Sequence, residues 1–153
     1  MPFNKSLKDG EYGEHAIWNL FMKQSWVRSV IDVRSDKSFQ EQDIDFLVED
    51  VKRQFTPVEV KTDYKANETG NIAYELTTSG NMGCFEKTKA KFIMYYIPGN
   101  ETAHMIDVIK LRTYIHEKRP DEIRMGDRAS GFLLPIDDLK VAGVIKKTYE
   151  GVV

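Results

Sequence analysis

The chain has one cysteine, Cys84, so no disulfide can form within it and its stability must come from packing. That usage fits a reducing compartment, and a cytoplasmic location is expected. No apolar run approaches the roughly 20 residues that cross a bilayer, which leaves no expected role for a membrane. The first residues, MPFNKSLKDGEYGE, are polar and lack the apolar centre of a secretory signal. Without such a signal, the Asn-x-Thr triplets at Asn67 and Asn100 read as chance rather than as glycosylation sites. Histidines are few, and His15, His104 and His116 show no metal-ligand spacing. Cys84 has no histidine beside it in sequence and reads as structural. No glycine loop of the phosphate-cradling kind occurs. A formal net charge of −2 argues against a protein that coats nucleic acid electrostatically.

What is present is a globular composition, 41% hydrophobic and 30% charged, over a length that builds one core. With no repeats and no linker, residues 1–153 read as a single domain. Ile17, Leu20 and Phe21 form a helical stripe over residues 11–24, and Glu14 borders its buried face one turn earlier. Residues 27–33 fit either an irregular link or a short strand. Alternating residues predict strands over 44–49 and 55–62 joined by a polar turn, and a third over 71–78 after the Gly70-Asn71 turn. Residues 79–83 read as a loop and 84–90 as a short helix. The run KFIMYYI, 91–97, is apolar throughout, as a strand buried on both faces requires. A strand over 104–109, a helix over 110–118, an irregular stretch over 119–130, an edge strand over 131–135 and a final helix over 137–147 complete the chain. Trp18, Trp26, Tyr95 and Tyr96 read as core. The fold class is α/β, a mixed central sheet flanked by helices.

The chemistry gathers in the hairpin. Ile44, Phe46 and Val48 share one strand face and place Asp45 on the other, while Val58 and Val60 place Glu59 and Lys61 together. A turn over Asp50–Gln54 sets Asp45 opposite Glu59. Facing carboxylates repel across a ladder, and a divalent cation reverses that sign. Magnesium takes one or two carboxylates, with waters and substrate phosphate completing its octahedron. Asp45 and Glu59 are the candidate ligands, with the Val60 carbonyl beside them. Lys61 can position or activate the attacking water, or stabilise charge growing on phosphate, and the sequence leaves both roles open. A neighbouring metal would favour a lowered Lys61 pKa. Glu14 is the best third acid, for a second metal or a metal-bound water, and Glu75 a weaker one. Gln42 and Asp43 stand where they can orient Asp45. Asn67, Thr69 and Asn71, in the loop after the second strand, suit contacts to a nucleic-acid backbone. Basic candidates for phosphate are Lys52 and Arg53, then Lys87, Lys89 and Lys91, then Lys110, Arg112, Lys118 and Arg119.

On these residues the chain resembles the PD-(D/E)xK, or restriction-endonuclease-like, nuclease superfamily. That plan is a helix carrying an acid, then strands carrying Asp and Glu-x-Lys, matched here by Glu14 in GEYGE, Asp45 in DIDFLV, and Glu59 and Lys61 in PVEVK. The spacing is also similar to archaeal Holliday-junction resolvases and small phage-type endonucleases. The likeness covers residues 9–97. It departs from the pattern at Ile44, where many members have proline, and at Lys89-Ala90-Lys91, where an acid is common. The resemblance implies a restriction-endonuclease-like core and a Mg2+ (or Mn2+) dependent endonuclease that hydrolyses DNA through a metal-activated water. It also implies a homodimer. The rival expectation is a catalytically silent nuclease-fold protein that binds nucleic acid or a protein partner.

Overall fold

The computed structural model describes residues 2–153, with side chains from Gly10 onward. A long helix, α1 (Pro2–Met22), leads into an antiparallel meander of β1 (Val27–Asp32), the short helix α2 (Lys37–Glu41), β2 (Phe46–Asp50) and β3 (Phe55–Thr62). A crossover holding α3 (Ala66–Thr69), β4 (Asn71–Thr78), β5 (Asn81–Met82) and α4 (Cys84–Lys87) returns the chain to β6 (Phe92–Ile97), parallel to β3. A 3₁₀ turn at Pro98–Asn100 reverses it into β7 (Thr102–Asp107). Then come α5 (Val108–Lys118), β8 (Ile123–Met125), β9 (Ala129–Pro135), α6 (Ile136–Val141) and β10 (Ile145–Tyr149). The result is a mixed α/β fold, with a six-stranded sheet ordered β1-β2-β3-β6-β7-β10 and a four-stranded sheet ordered β5-β4-β9-β8. No helix among the described residues is long and apolar enough to cross a membrane.

Side-chain alternation divides the interior in two. On one face of the larger sheet Ala16, Ile17 and Phe21 of α1 pack on Val48, Val58, Val60, Met94 and Tyr96. On the other face Ile93, Tyr95 and Ile97 pack against Tyr74, Phe132 and Leu134 of the smaller sheet. β6 serves both cores, which is why its sequence is apolar at every position and every residue of it is buried. Helix α1 sits close to β3: a Cβ on Gly13 would lie 1.7 Å from Thr62 Oγ1, so glycine is what allows the approach.

Several expectations needed correction. Helix α1 runs from Pro2, well before residue 11, and α4 stops at Lys87 rather than 90. The ambiguous 27–33 segment is an edge strand of the main sheet. The third strand forms as expected, as β4, and its partner, which the sequence left open, is β9 in the smaller sheet. Residues 129–135 are an inner strand, not an edge, and the 119–130 stretch contains β8. The expected helix over 137–147 breaks at Gly143, whose φ of 76° terminates α6, and alternation from Ile145 onward makes β10. Trp26 is a surface residue, 36% exposed and edge-on to Phe21, while Tyr95 and Tyr96 are buried as expected. Arg112 is not available to phosphate in the way its charge suggested. Its guanidinium donates to the carbonyls of Phe85, Glu86 and Thr88 and so ties α5 to α4.

His104 is 3% exposed on β7, with Nδ1 2.9 Å from Thr148 Oγ1. Burial, and then the charge of Lys140, pulls its pKa down from 6.5 to about 4. The unfolded chain therefore binds a proton that the folded one refuses, and stability present above pH 6.5 is lost as pH falls toward 4, by roughly 3 kcal/mol at most. Denaturant unfolding of His104→Gln across this range is expected to show a shallower pH slope than the parent. Parallel slopes would refute the assignment.

Candidate functional site

The hairpin turn is set by Asp50, whose Oδ1 accepts from the N–H groups of Lys52 (2.8 Å) and Gln54 (3.0 Å), with Arg53 left-handed at φ 61°. The register that follows pairs Glu49 with Phe55 and Phe46 with Val58. The next residue back, Asp45, lies outside the paired stretch, near enough to Glu59 for its charge to act on that carboxyl. There the regular ladder ends. Asp45 N–H donates to Val58 C=O (2.9 Å), and Val60 N–H donates to Asp45 Oδ2 (2.8 Å). A side-chain oxygen thus takes the place of a backbone acceptor. Just upstream, Asp43 is left-handed at φ 50° and the chain turns away. Residues 59–62 of β3 consequently lie beyond the cover of β2. Pro57 C=O and Asp63 N–H bond toward β6, whereas Val58 C=O and Val60 N–H face Asp45. By the same alternation the Val60 carbonyl faces Asp45's side as well.

A cleft of about 400 Å³ opens at this edge, lined by Glu14 of α1, Glu59, Val60 and Lys61 of β3, Tyr64, and Cys84 of α4. Glu59 makes no hydrogen bond or ion pair among the described residues. Burial, then the charges of Asp45 and Asp43, holds its carboxyl well above the ordinary carboxylate range. Asp45 is raised too, by burial against the opposing Val60 N–H, with Glu14 among the lesser contributors. Lys61 Nζ lies 4.0 Å from Glu75 Oε1, which β4 brings in from the smaller sheet. Burial pulls the Lys61 ammonium down, but Cys84, Glu75, Glu59 and Asp63 together hold it above its ordinary value. The direction is thus opposite to the lowered Lys61 pKa expected beside a cation. Burial also pushes the Cys84 thiol up, to about 11.

Glu14 reaches the cleft with its charge engaged: Oε2 is 2.8 Å from Arg34 Nη1. Arg34 also grips Asp32 through Nε (2.9 Å) and Nη2 (2.7 Å) and lies over the Phe46 ring. Arg34 went unnoticed in sequence because it follows a segment of ambiguous structure and fits no spacing. Among the described residues no three His, Cys, Asp or Glu side chains gather into a metal-binding group by themselves. The donor set is two carboxylates and a carbonyl, which Mg2+ or Mn2+ can accept with waters and phosphate completing the shell. The unpartnered, half-buried Glu59 beside Asp45 fits that use.

The remaining candidates divide. Lys87 Nζ is 3.8 Å from Asp43 Oδ1, and the Lys89 N–H donates to Gln42 C=O, so both border the segment entering Asp45. Gln42 and Asp43 are accordingly docked on the α4 loop, with Thr88 Oγ1 donating to Asp43 C=O (2.7 Å). Asn67 and Thr69 sit on α3 and are exposed, Asn67 against Gly99 at the 3₁₀ turn. Asn71 N–H donates to Thr69 Oγ1 (3.2 Å). None of these three lines the cleft.

No family model matches the sequence, and no curated protein matches it. Among solved structures it is similar to the bacterial homing endonuclease I-Ssp6803I, at 19% identity and a TM-score of 0.48, over 65% of this chain and 67% of that one.

Glu59 holds its proton more tightly folded than unfolded, so without metal it lowers stability as pH rises above 4.5. At pH 8 Glu59→Gln is expected to raise the metal-free melting temperature by a few degrees, about 1 kcal/mol. Magnesium or manganese is expected to stabilise the parent and not the variant. A less stable variant, or equal metal shifts in both, would contradict this.

Proposed function

We propose that the protein is a Mg2+ (or Mn2+) dependent nuclease of the PD-(D/E)xK plan that hydrolyses phosphodiester bonds of DNA. The observation that carries this reading is the neighbouring carboxylates Asp45 and Glu59 at an uncovered strand edge, one accepting from a backbone N–H and the other without a hydrogen-bond partner among the described residues. Asp45, Glu59 and the Val60 carbonyl would hold the ion, which would supply charge neutralisation at the phosphate and a lowered pKa for the attacking water. Val60 N–H fixes the direction of Asp45. Lys61, two residues along the same face from Glu59, presents its ammonium to the phosphate, with Glu75 orienting it from the far side. Glu14, aligned by Arg34, faces the cleft from α1 and can hold a water there. Lys87 and Lys89 supply positive charge along the approach. Asn67, Thr69 and Asn71 belong to this reading only as contacts of a longer strand running past the cleft. A homodimer belongs to the same proposal.

The test is incubation of supercoiled plasmid, single-stranded circles and a four-way junction with magnesium or manganese. Cutting by the parent is expected, abolished by chelator and reduced about 10²- to 10³-fold in Lys61→Ala. The preferred substrate would name the subclass. No cutting on any substrate, with no metal binding by calorimetry, would overturn the reading and leave the silent, partner-binding scaffold.

A further inference from the structure

Beyond the end of α1, on the sheet face that this helix covers, lies a second pocket of about 390 Å³. Val58 faces it, so it sits on the opposite side of β3 from Glu59 and Lys61. Its apolar wall holds four rings, Phe21, Trp26, Phe92 and Tyr149, together with Val48, Val58 and Met105, and of these Trp26 is the exposed one while the others are buried. Gln54 and Thr56 add hydrogen-bonding groups from the hairpin, and Asp50 is there too, its Oδ1 engaged by turn N–H groups.

Three exposed lysines also line this pocket, Lys91, Lys146 and Lys147. Some cations near the sheet have acids: Lys61 has Glu75, Lys87 has Asp43, and Arg34 has Glu14 and Asp32. These three have no carboxylate partner among the described residues. They lie instead over ring faces: Lys91 and Lys146 are 5.5 and 5.2 Å from the Phe92 centroid, and Lys147 is 4.9 Å from that of Tyr149. Like charges held together above an apolar wall repel, and an anion between them reverses that sign. An inorganic phosphate would leave the aromatic wall unused. A fatty acid would leave Gln54 and Thr56 unpaired against its tail. A nucleotide matches all three features: charge for the lysines, a flat ring for the aromatic wall, and polar edges for Gln54 and Thr56.

We propose that this pocket seats one nucleotide of a single-stranded DNA segment, its base against the aromatic wall and its phosphate at Lys91, Lys146 and Lys147. The proposal deepens the nuclease reading and rests on it for the ligand being part of a strand. It makes the face opposite the cleft a second point of attachment.

Trp26 is the reporter. An oligodeoxythymidylate of about eight nucleotides is titrated into the full chain in chelator while tryptophan fluorescence is followed. A saturable change is expected in the parent and in Lys61→Ala, and none in Trp26→Phe. The exposed double change Lys146→Ala/Lys147→Ala is expected to weaken binding about tenfold and to reduce the slope of log K against log salt by about 1.4. An abasic oligomer of equal charge is expected to bind about tenfold more weakly than the normal one. Equal binding by the double variant, equal binding of the abasic strand, or a Trp26 response to dodecanoate and not to the oligomer would overturn the proposal. Plasmid cutting by the same preparations separates the two readings. A cutting parent with a silent Trp26 sinks the pocket alone, and an oligomer response without cutting sinks the nuclease alone.

Discussion

The hydrogen bond from Val60 N–H to Asp45 Oδ2 is the contact on which the cleft depends. It ends the β2–β3 ladder by letting a carboxylate occupy the place of a carbonyl, and it leaves the next residues of β3 without a neighbouring strand. Had the ladder continued, a backbone carbonyl would have taken the Val60 N–H and residues before Asp45 would have covered Glu59. The same bond compensates part of the cost of keeping Asp45 charged. Glu59 receives no such compensation. Its neighbours raise its proton affinity, and the closest cation on its own strand, Lys61, is drawn toward Glu75. Proton affinity is raised on both Asp45 and Glu59, further on Glu59, while Glu14, Asp43 and Glu75 are paired with Arg34, Lys87 and Lys61, a distribution in keeping with a binding site.

The smaller sheet gives the site its other wall. Glu75 comes from β4 and Cys84 from the start of α4, both within the crossover between β3 and β6. α1 supplies the opposite wall through Glu14, at a distance from β3 that Gly13 permits. The cleft is therefore assembled from three layers rather than carved into one.

The hairpin was legible in the sequence because its signals are local: alternation over 44–48 and 58–61, a turn of fixed length, and an acid whose position follows from counting. β6 was legible because burial on both faces removes every polar residue. Pairing between distant segments was not. Asn71–Thr78 alternates as well as any strand, but nothing within it says that its partner is Ala129–Pro135 rather than the hairpin. β10 was hidden because Asp137 to Val141 starts as a helix and the stop depends on one left-handed glycine, Gly143. Arg34 was invisible for a related reason. Its value lies in joining α1 to β1 by Glu14 and Asp32, and Glu14 is twenty residues away in the chain. Trp26 was misplaced because composition cannot tell an aromatic ring in a core from one at a pocket's edge.

The two sheets are threaded through each other in chain order. β4 and β5 fall between the parallel neighbours β3 and β6, and β8 and β9 fall between the antiparallel neighbours β7 and β10. Neither sheet can close until segments of the other have been synthesised and set aside, so the contacts that matter most join residues far apart along the chain. By that ordering folding is expected to be slow for the chain's length and unfolding to be cooperative, since pulling one sheet apart removes the loops that close the other.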